Sequence, residues 1–278
     1  MSKVWFITGA SSGFGRCLTA QALESGAQVV ATARQPESLD DLTAQYPDTL
    51  RVCALDVTDS VQVKAAVAFA LEAFGGRLDV VVNNAGYGLM GALEECGEDQ
   101  LQRNLATNFL GPLAVMRAVL PTLRAQKSGH IINMSAVAAF SNHPGFSVYG
   151  GSKAALDAAS DSVRDEVKPL GIKVTSVVPG PFRTDFVSRS MENATQHIPD
   201  YDPTSGKFAA YLHKIDGVQA GNPDAAARVI VQMIADGKAP MHLFLGKYAL
   251  DIARRKMTII ERELAEWETV SLSTEFPK

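Results

Sequence analysis

Cysteine is scarce in this chain: Cys17, Cys53 and Cys96 are odd in number and have no metal-ligand spacing. That excludes a disulfide framework, leaves no metal site to expect, and reads as free thiols in a reducing compartment. Long apolar runs are missing too. No stretch approaches the ~18 uncharged apolar residues that a membrane span requires. From Met1-Ser2-Lys3 the chain enters the apolar run Val4–Thr8 with no signal-peptide segment before it, so a cytoplasmic protein is expected. Basic runs are also lacking. With 26 Lys and Arg against 30 Asp and Glu the net charge is -4, whereas neutralising a phosphate backbone needs a basic face; nucleic acid is not an expected partner.

What is present suits one large α/β domain. A chain of 278 residues, 46% hydrophobic and 20% charged, can bury a sizeable core. Short apolar runs alternate with helical patterns. Strands are predicted at Val4–Thr8, Gln28–Arg34, Arg51–Val57, Leu78–Val82, Ile131–Ser135, Lys173–Val178 and His242–Gly246. Strand and helix at this cadence predict a doubly wound parallel sheet with helices on both faces, whose ligands collect at the carboxyl ends of the strands. No internal repeat interrupts the pattern.

Several unusual residues fall at those ends. After the first run comes Thr8-Gly9-Ala10-Ser11-Ser12-Gly13-Phe14-Gly15, a glycine-rich turn before a helix; such a turn lets the backbone approach a pyrophosphate that the helix N-terminus stabilises. A plain tight turn is the competing reading. The second strand ends in Ala33-Arg34, where a guanidinium attracts a 2′-phosphate that a carboxylate would repel, which favours NADP(H) over NAD(H). Asp56, beside Val57, accepts from an adenine amino group or simply caps a turn. Asn83-Asn84-Ala85-Gly86 offers small polar residues against which a flat cofactor packs, or a turn.

Further along, Glu98–Leu123 is a long helical pattern containing Asn108 and interrupted by Gly111-Pro112, where a kink is expected. Tyr149-Gly-Gly-Ser-Lys153 lies at the start of the next helix. Four residues apart, the phenol and the ammonium share a face, and a neighbouring cation pulls a phenol from its free value near ~10 toward working pH. The segment from Asp185 to about Gly221 loses regularity, with Met191, Phe208, Tyr211 and Leu212 scattered among polar residues; it reads as a lid over an apolar ligand or as a surface connection. Asn222-Pro223-Asp224 starts a capped helix, and from Asp251 the tail is a charged helical pattern. The expected layout is a catalytic domain over 1–250, including a substrate loop at 185–221, with a helical extension over 251–278 packed on it.

Taken together, Thr8-Gly9-x-x-x-Gly13-x-Gly15, Asn83-Asn84-Ala85-Gly86, Asn108, Tyr149-x-x-x-Lys153 and Pro179-Gly180 with Thr184 resemble the short-chain dehydrogenase/reductase family over residues 3 to 250. Asn-Asn-Ala-Gly-Tyr-Gly and the long C-terminal segment are most similar to the branch that includes 17β-hydroxysteroid and retinol dehydrogenases. The resemblance implies a Rossmann-type enzyme moving hydride between NAD(P) and an alcohol or ketone. It implies Tyr149 as acid/base, Lys153 lowering its pKa and holding the nicotinamide ribose, and Asn108 positioning a relay water. Gly9, Ser11, Ser12, Gly13, Phe14 and Gly15 would line the pyrophosphate turn; Pro179, Gly180 and Phe182 would also bind the cofactor, and Thr184 would contact its carboxamide. A homodimer or homotetramer is implied as well.

One position departs from the family. Its substrate-orienting serine stands thirteen residues before the tyrosine, and that position here is Ala136. Ser135 is adjacent, but neighbouring strand residues point to opposite faces. Three readings stay open: an irregular loop brings Ser135 in, the site lacks its donor, or a serine has been replaced and turnover silenced. The expected function is an NADP-dependent reductase or dehydrogenase for a small apolar carbonyl or alcohol, contacted by Tyr87, Phe140, His143 and Phe146. A nonenzymatic NADP-binding sensor or partner-binding subunit is the alternative.

Overall fold

The structure, a computed structural model, describes residues 2–276. The chain begins with β1 (Val4–Ile7), α1 (Gly13–Glu24), β2 (Gln28–Ala33), α2 (Asp40–Gln45), β3 (Leu50–Ala54), α3 (Ser60–Ala73) and β4 (Val80–Asn83). It continues through β5 (Gly88–Met90), α4 (Glu98–Leu105), α5 (Gly111–Gln126), β6 (Gly129–Met134), α6 (Ser147–Val167) and β7 (Ile172–Pro179). Last come β8 (Met191–Asn193), α7 (Lys207–Ile215), α8 (Pro223–Ala235), β9 (His242–Leu245) and α9 (Lys247–Leu272).

The main sheet has seven strands in the order β3-β2-β1-β4-β6-β7-β9, every neighbouring pair parallel. Parallel strands need crossover helices on both faces, and both faces are covered. Along β1, Trp5 and Ile7 point to the face where Leu18 and Ala22 of α1 meet Ile230 and Met233 of α8. Val4 and Phe6 point to the other, against Val63 and Val67 of α3 and Val115 and Val119 of α5. Strand order reverses direction between β1 and β4, so a crevice opens there at the carboxyl ends.

Helix starts follow local chemistry. Asp59 Oδ1 accepts from the amides of Val61 and Gln62 ahead of α3, and Asn222 Oδ1 accepts from Asp224 and Ala225 ahead of α8. The break expected at Gly111-Pro112 takes the form of a π-helical turn over Ala106–Leu110, one turn earlier. Pro112 then sits in the first turn of α5, directly behind that π turn in a continuous helical run.

The irregular segment after Thr184 has structure of its own. β8 pairs in parallel with β5 as a separate two-stranded sheet, and Arg103 on α4 bonds Glu192 at 2.8 Å. Gln100 ties the same strand by donating to the carbonyl of Asn193 at 2.8 Å. The C-terminal helix differs from its expected packing. Only Ala249 and Ala253 of α9 are buried, and every residue from 261 to 272 is exposed. Besides them, Ile252 and Ile259 are half-buried; the last two residues of the expected extension, 277 and 278, lie outside the described residues.

Candidate active site

Two turns from distant parts of the chain lock together at the crevice. Thr8 Oγ1 accepts from the amides of Asn84 and Ala85 at 3.0 and 3.1 Å, while Asn84 Nδ2 donates back to the carbonyls of Thr8 and Gly9 at 3.0 and 2.9 Å. Side chains could not fit here. A Cβ on Gly9, whose φ is +65°, would stand 2.8 Å from the Ala85 backbone, and one on Gly15 would stand 2.3 Å from the Gly9 carbonyl. At the N-terminus of α1, Ser12 makes no side-chain cap, so the first amides of the helix face outward without an internal partner.

Tyr149 and Lys153 rise from the first turns of α6. Both are buried, and the Lys153 ammonium donates to the carbonyl of Met134 at the end of β6, 2.8 Å away. The phenol ring packs on Phe146 and Phe186 with centroids 5.1 and 5.6 Å apart. Burial pushes the Tyr149 phenol above its ordinary value and pulls Lys153 down to about 8. The cause of the rise at Tyr149 is loss of hydration.

Asn108 is fully committed. Its Oδ1 accepts from the Tyr87 amide at 3.0 Å and its Nδ2 donates to the Tyr87 carbonyl at 2.8 Å and to Ser152 Oγ at 3.1 Å. Seated in the π turn, it pins the strand-like stretch after Gly86, and its side chain does not line the cavity.

One cavity of about 900 Å³ joins these parts. Its first half is lined by Gly9, Ser11, Ser12, Gly13, Phe14, Arg34, Asp56 and Val57, with Asn84, Ala85 and Gly86 across from them. Pro179, Gly180, Phe182 and Thr184 form the floor beside Lys153. The second half is aromatic and aliphatic, with Phe146, Phe186, Met191, Phe208 and Leu212 around Tyr149. Tyr87 and His143 also line it, but Phe140 does not: its ring packs edge-on against His242 and Phe244, at 5.1 and 4.9 Å. Gly15 lies behind the turn rather than on its surface.

Ser135 and Ala136 both border the cavity, yet their side chains differ. Ala136 packs in the cluster with Tyr149, Phe146, Met90 and Ala138. The Ser135 hydroxyl is fully enclosed and has no hydrogen-bond partner among the described residues. The sequence reading missed Phe186, Arg189 and Tyr248. Arg189 lines a second pocket with Ser11, Arg34, Gln35 and Ser38, and Tyr248 bonds His143 across 2.7 Å. Arg189 and Tyr248 come from the lid segment and the last helix, where no periodic pattern announces which way a side chain points.

The model of the short-chain dehydrogenase family matches residues 3–195, and the chain belongs to that family. It is 38% identical over 275 residues to the oxidoreductase BOA17 of Botryotinia fuckeliana, covering 99% of this chain and 100% of that one. A short-chain dehydrogenase from Streptomyces avermitilis has the same architecture, with a TM-score of 0.92, 40% identity and coverage of 99% and 98% of the two chains. A short-chain dehydrogenase from Burkholderia cenocepacia, solved in complex with NADP, matches with a TM-score of 0.74 and 25% identity over 95% of this chain and 97% of that one. Structures of this fold hold NAD or NADP. The glycine-rich turn, which has no room for a Cβ at Gly9 or Gly15, and the unpaired amides of α1 fit the pyrophosphate of such a nicotinamide cofactor.

Proposed function

We propose that this chain is an NADP-dependent oxidoreductase for an apolar ketone or secondary alcohol, with Tyr149 as the acid and base. The observation that carries this reading is the position of Tyr149. Its phenol stands where the glycine-lined half of the cavity meets the aromatic half, and no group among the described residues bonds its oxygen.

The bound nicotinamide supplies or accepts the hydride. In the reducing direction Tyr149 holds the carbonyl oxygen by its O–H and gives it that proton, so the phenolic O–H bond breaks as the alcohol O–H forms. Burial makes the resulting phenolate costly, and Lys153, at about 8, still carries its charge at neutral pH to offset it. Asn108 and the π turn hold the Tyr87 backbone that walls this corner. The aromatic half favours an apolar substrate and sheds water from the reacting carbon.

NADP is favoured over NAD by two guanidinium groups. Arg34 follows β2, where the adenosine ribose of a dinucleotide lies, and Arg189 borders the same pocket. Oxidation of NADPH with a panel of apolar ketones tests the proposal. Tyr149→Phe is expected to lower turnover by about 10²- to 10⁴-fold with cofactor affinity retained. Cofactor binding with no turnover, even in Ala136→Ser, would select a binding role instead.

A further inference from the structure

α9 is built like half of a coiled coil. It is 26 residues long, and after Ala253 it runs for about 28 Å at the helical rise without a buried residue. Leu250, Ala253, Met257, Ile260, Leu264 and Trp267 recur at alternating spacings of three and four, which is the repeat of a heptad seam; Ala253 is buried against the domain and the other five are exposed. Four of them are wide open to solvent: Met257 at 60%, Ile260 at 41%, Leu264 at 66% and Trp267 at 56%. A projecting helix with such a seam is marginal alone in water, because packing of its apolar stripe is what stabilises it.

The charges beside the seam indicate what covers it. Arg254, Arg255 and Lys256 form a basic cluster in the first half, and Glu261, Glu263, Glu266 and Glu268, interrupted by Arg262, an acidic one in the second. Laid antiparallel on a second copy, with Met257 of one chain opposite Ile260 of the other, the seam brings Arg254 beside Glu261 and Lys256 beside Glu263. Twofold symmetry repeats both pairs. In a parallel pairing Lys256 falls beside Glu261 but Glu263 falls beside Glu268, so one of the two pairs is like against like, whereas both antiparallel pairs are opposite in charge. An anionic membrane surface is disfavoured by the same four glutamates.

We propose that α9 pairs with α9 of a second copy as an antiparallel two-helix coiled coil, with Trp267 of each chain covering Leu250 of the other.

Sedimentation of the full chain over a range of concentrations tests the pairing. Arg254→Glu should halve the mass, weakening association by about tenfold or more, and R254E/E261R should restore it, because only the antiparallel arrangement puts those two positions in contact. Leu264→Asp should also halve the mass while circular dichroism reports the folded domain. Trp5 is buried, so acrylamide quenching reads Trp267, which should become accessible on dilution. Equal masses for the wild type, Arg254→Glu and Leu264→Asp would overturn the proposal. So would a mass that R254E/E261R fails to recover, or Trp267 protection that appears only with phosphatidylcholine and phosphatidylserine vesicles.

Discussion

Lys153 donates to the carbonyl of Met134 at 2.8 Å, so a buried ammonium is tethered to the end of a core strand rather than to a carboxylate. The cation is costly there. Below about pH 8 both folded and unfolded chains hold the proton, and the folded one bears the full cost, about 3 kcal/mol; between about 8 and 10.5 the unfolded chain holds more protons and stability rises with pH. Lys153→Met should therefore abolish turnover yet leave the cofactor-free protein about 1 kcal/mol more stable at pH 7, the unpaired Met134 carbonyl offsetting the rest. Urea titration at that pH checks it; a strongly destabilised variant would refute the assigned cost.

Ala136 and Ser135 call for opposite outcomes. A hydroxyl at 136 would enter the wall around Tyr149, and Ala136→Ser should raise turnover by about a hundredfold by adding a donor toward the developing oxyanion. Ser135→Ala should leave turnover unchanged and stabilise the fold by about 1 kcal/mol, since it removes an enclosed hydroxyl that lacks a partner. If instead Ser135→Ala abolishes turnover, the hydroxyl reaches the substrate and Ala136 is not the missing donor.

Cofactor preference should rest on Arg34. Arg34→Ala is expected to raise the NADP dissociation constant about tenfold or more while that of NAD stays within about twofold, because only NADP carries the phosphate the guanidinium bonds. Arg189→Ala should act in the same direction. Isothermal titration with both cofactors separates this from a general loss of binding.

His130 predicts an acid limit to stability. It is buried at the start of β6, and burial with nearby Lys173 and Lys3 holds its imidazole down to about 3. Thr175 donates to the Pro240 carbonyl at 2.8 Å, so it accepts from His130 Nε2 at 2.9 Å and fixes the neutral tautomer. Between about pH 6.5 and 3 the unfolded chain binds the extra proton, so stability falls as pH falls, by up to about 1.4 kcal/mol per unit from this group. Denaturation midpoints at pH 7 and pH 5 should converge in His130→Gln.

The sheet and the Tyr149–Lys153 pair were legible in the residues because both follow short-range rules: buried parallel strands are continuous apolar runs, and helix positions four apart share a face. The three-residue strands β5 and β8 were not legible. Gly88–Met90 and Met191–Asn193 have no period long enough to read, and their pairing spans about a hundred residues. Phe140 was misplaced for a related reason: an aromatic ring near a cleft can turn to the cleft or to the core, and only the neighbours His242 and Phe244 decide. The pocket wall from Phe186, Arg189 and Tyr248 depends on the same kind of distant contact.

The mutual bonding of Thr8 and Asn84 sets an order of events during synthesis. The pyrophosphate turn near the start of the chain has no rigid backing until β4 has emerged and paired with β1, because its carbonyls are held by a side chain 75 and 76 residues away. Closing so large a loop is among the slower steps of folding. Nicotinamide cofactor added to a refolding mixture would then leave the early rates untouched and act afterwards, by holding assembled chains against reopening.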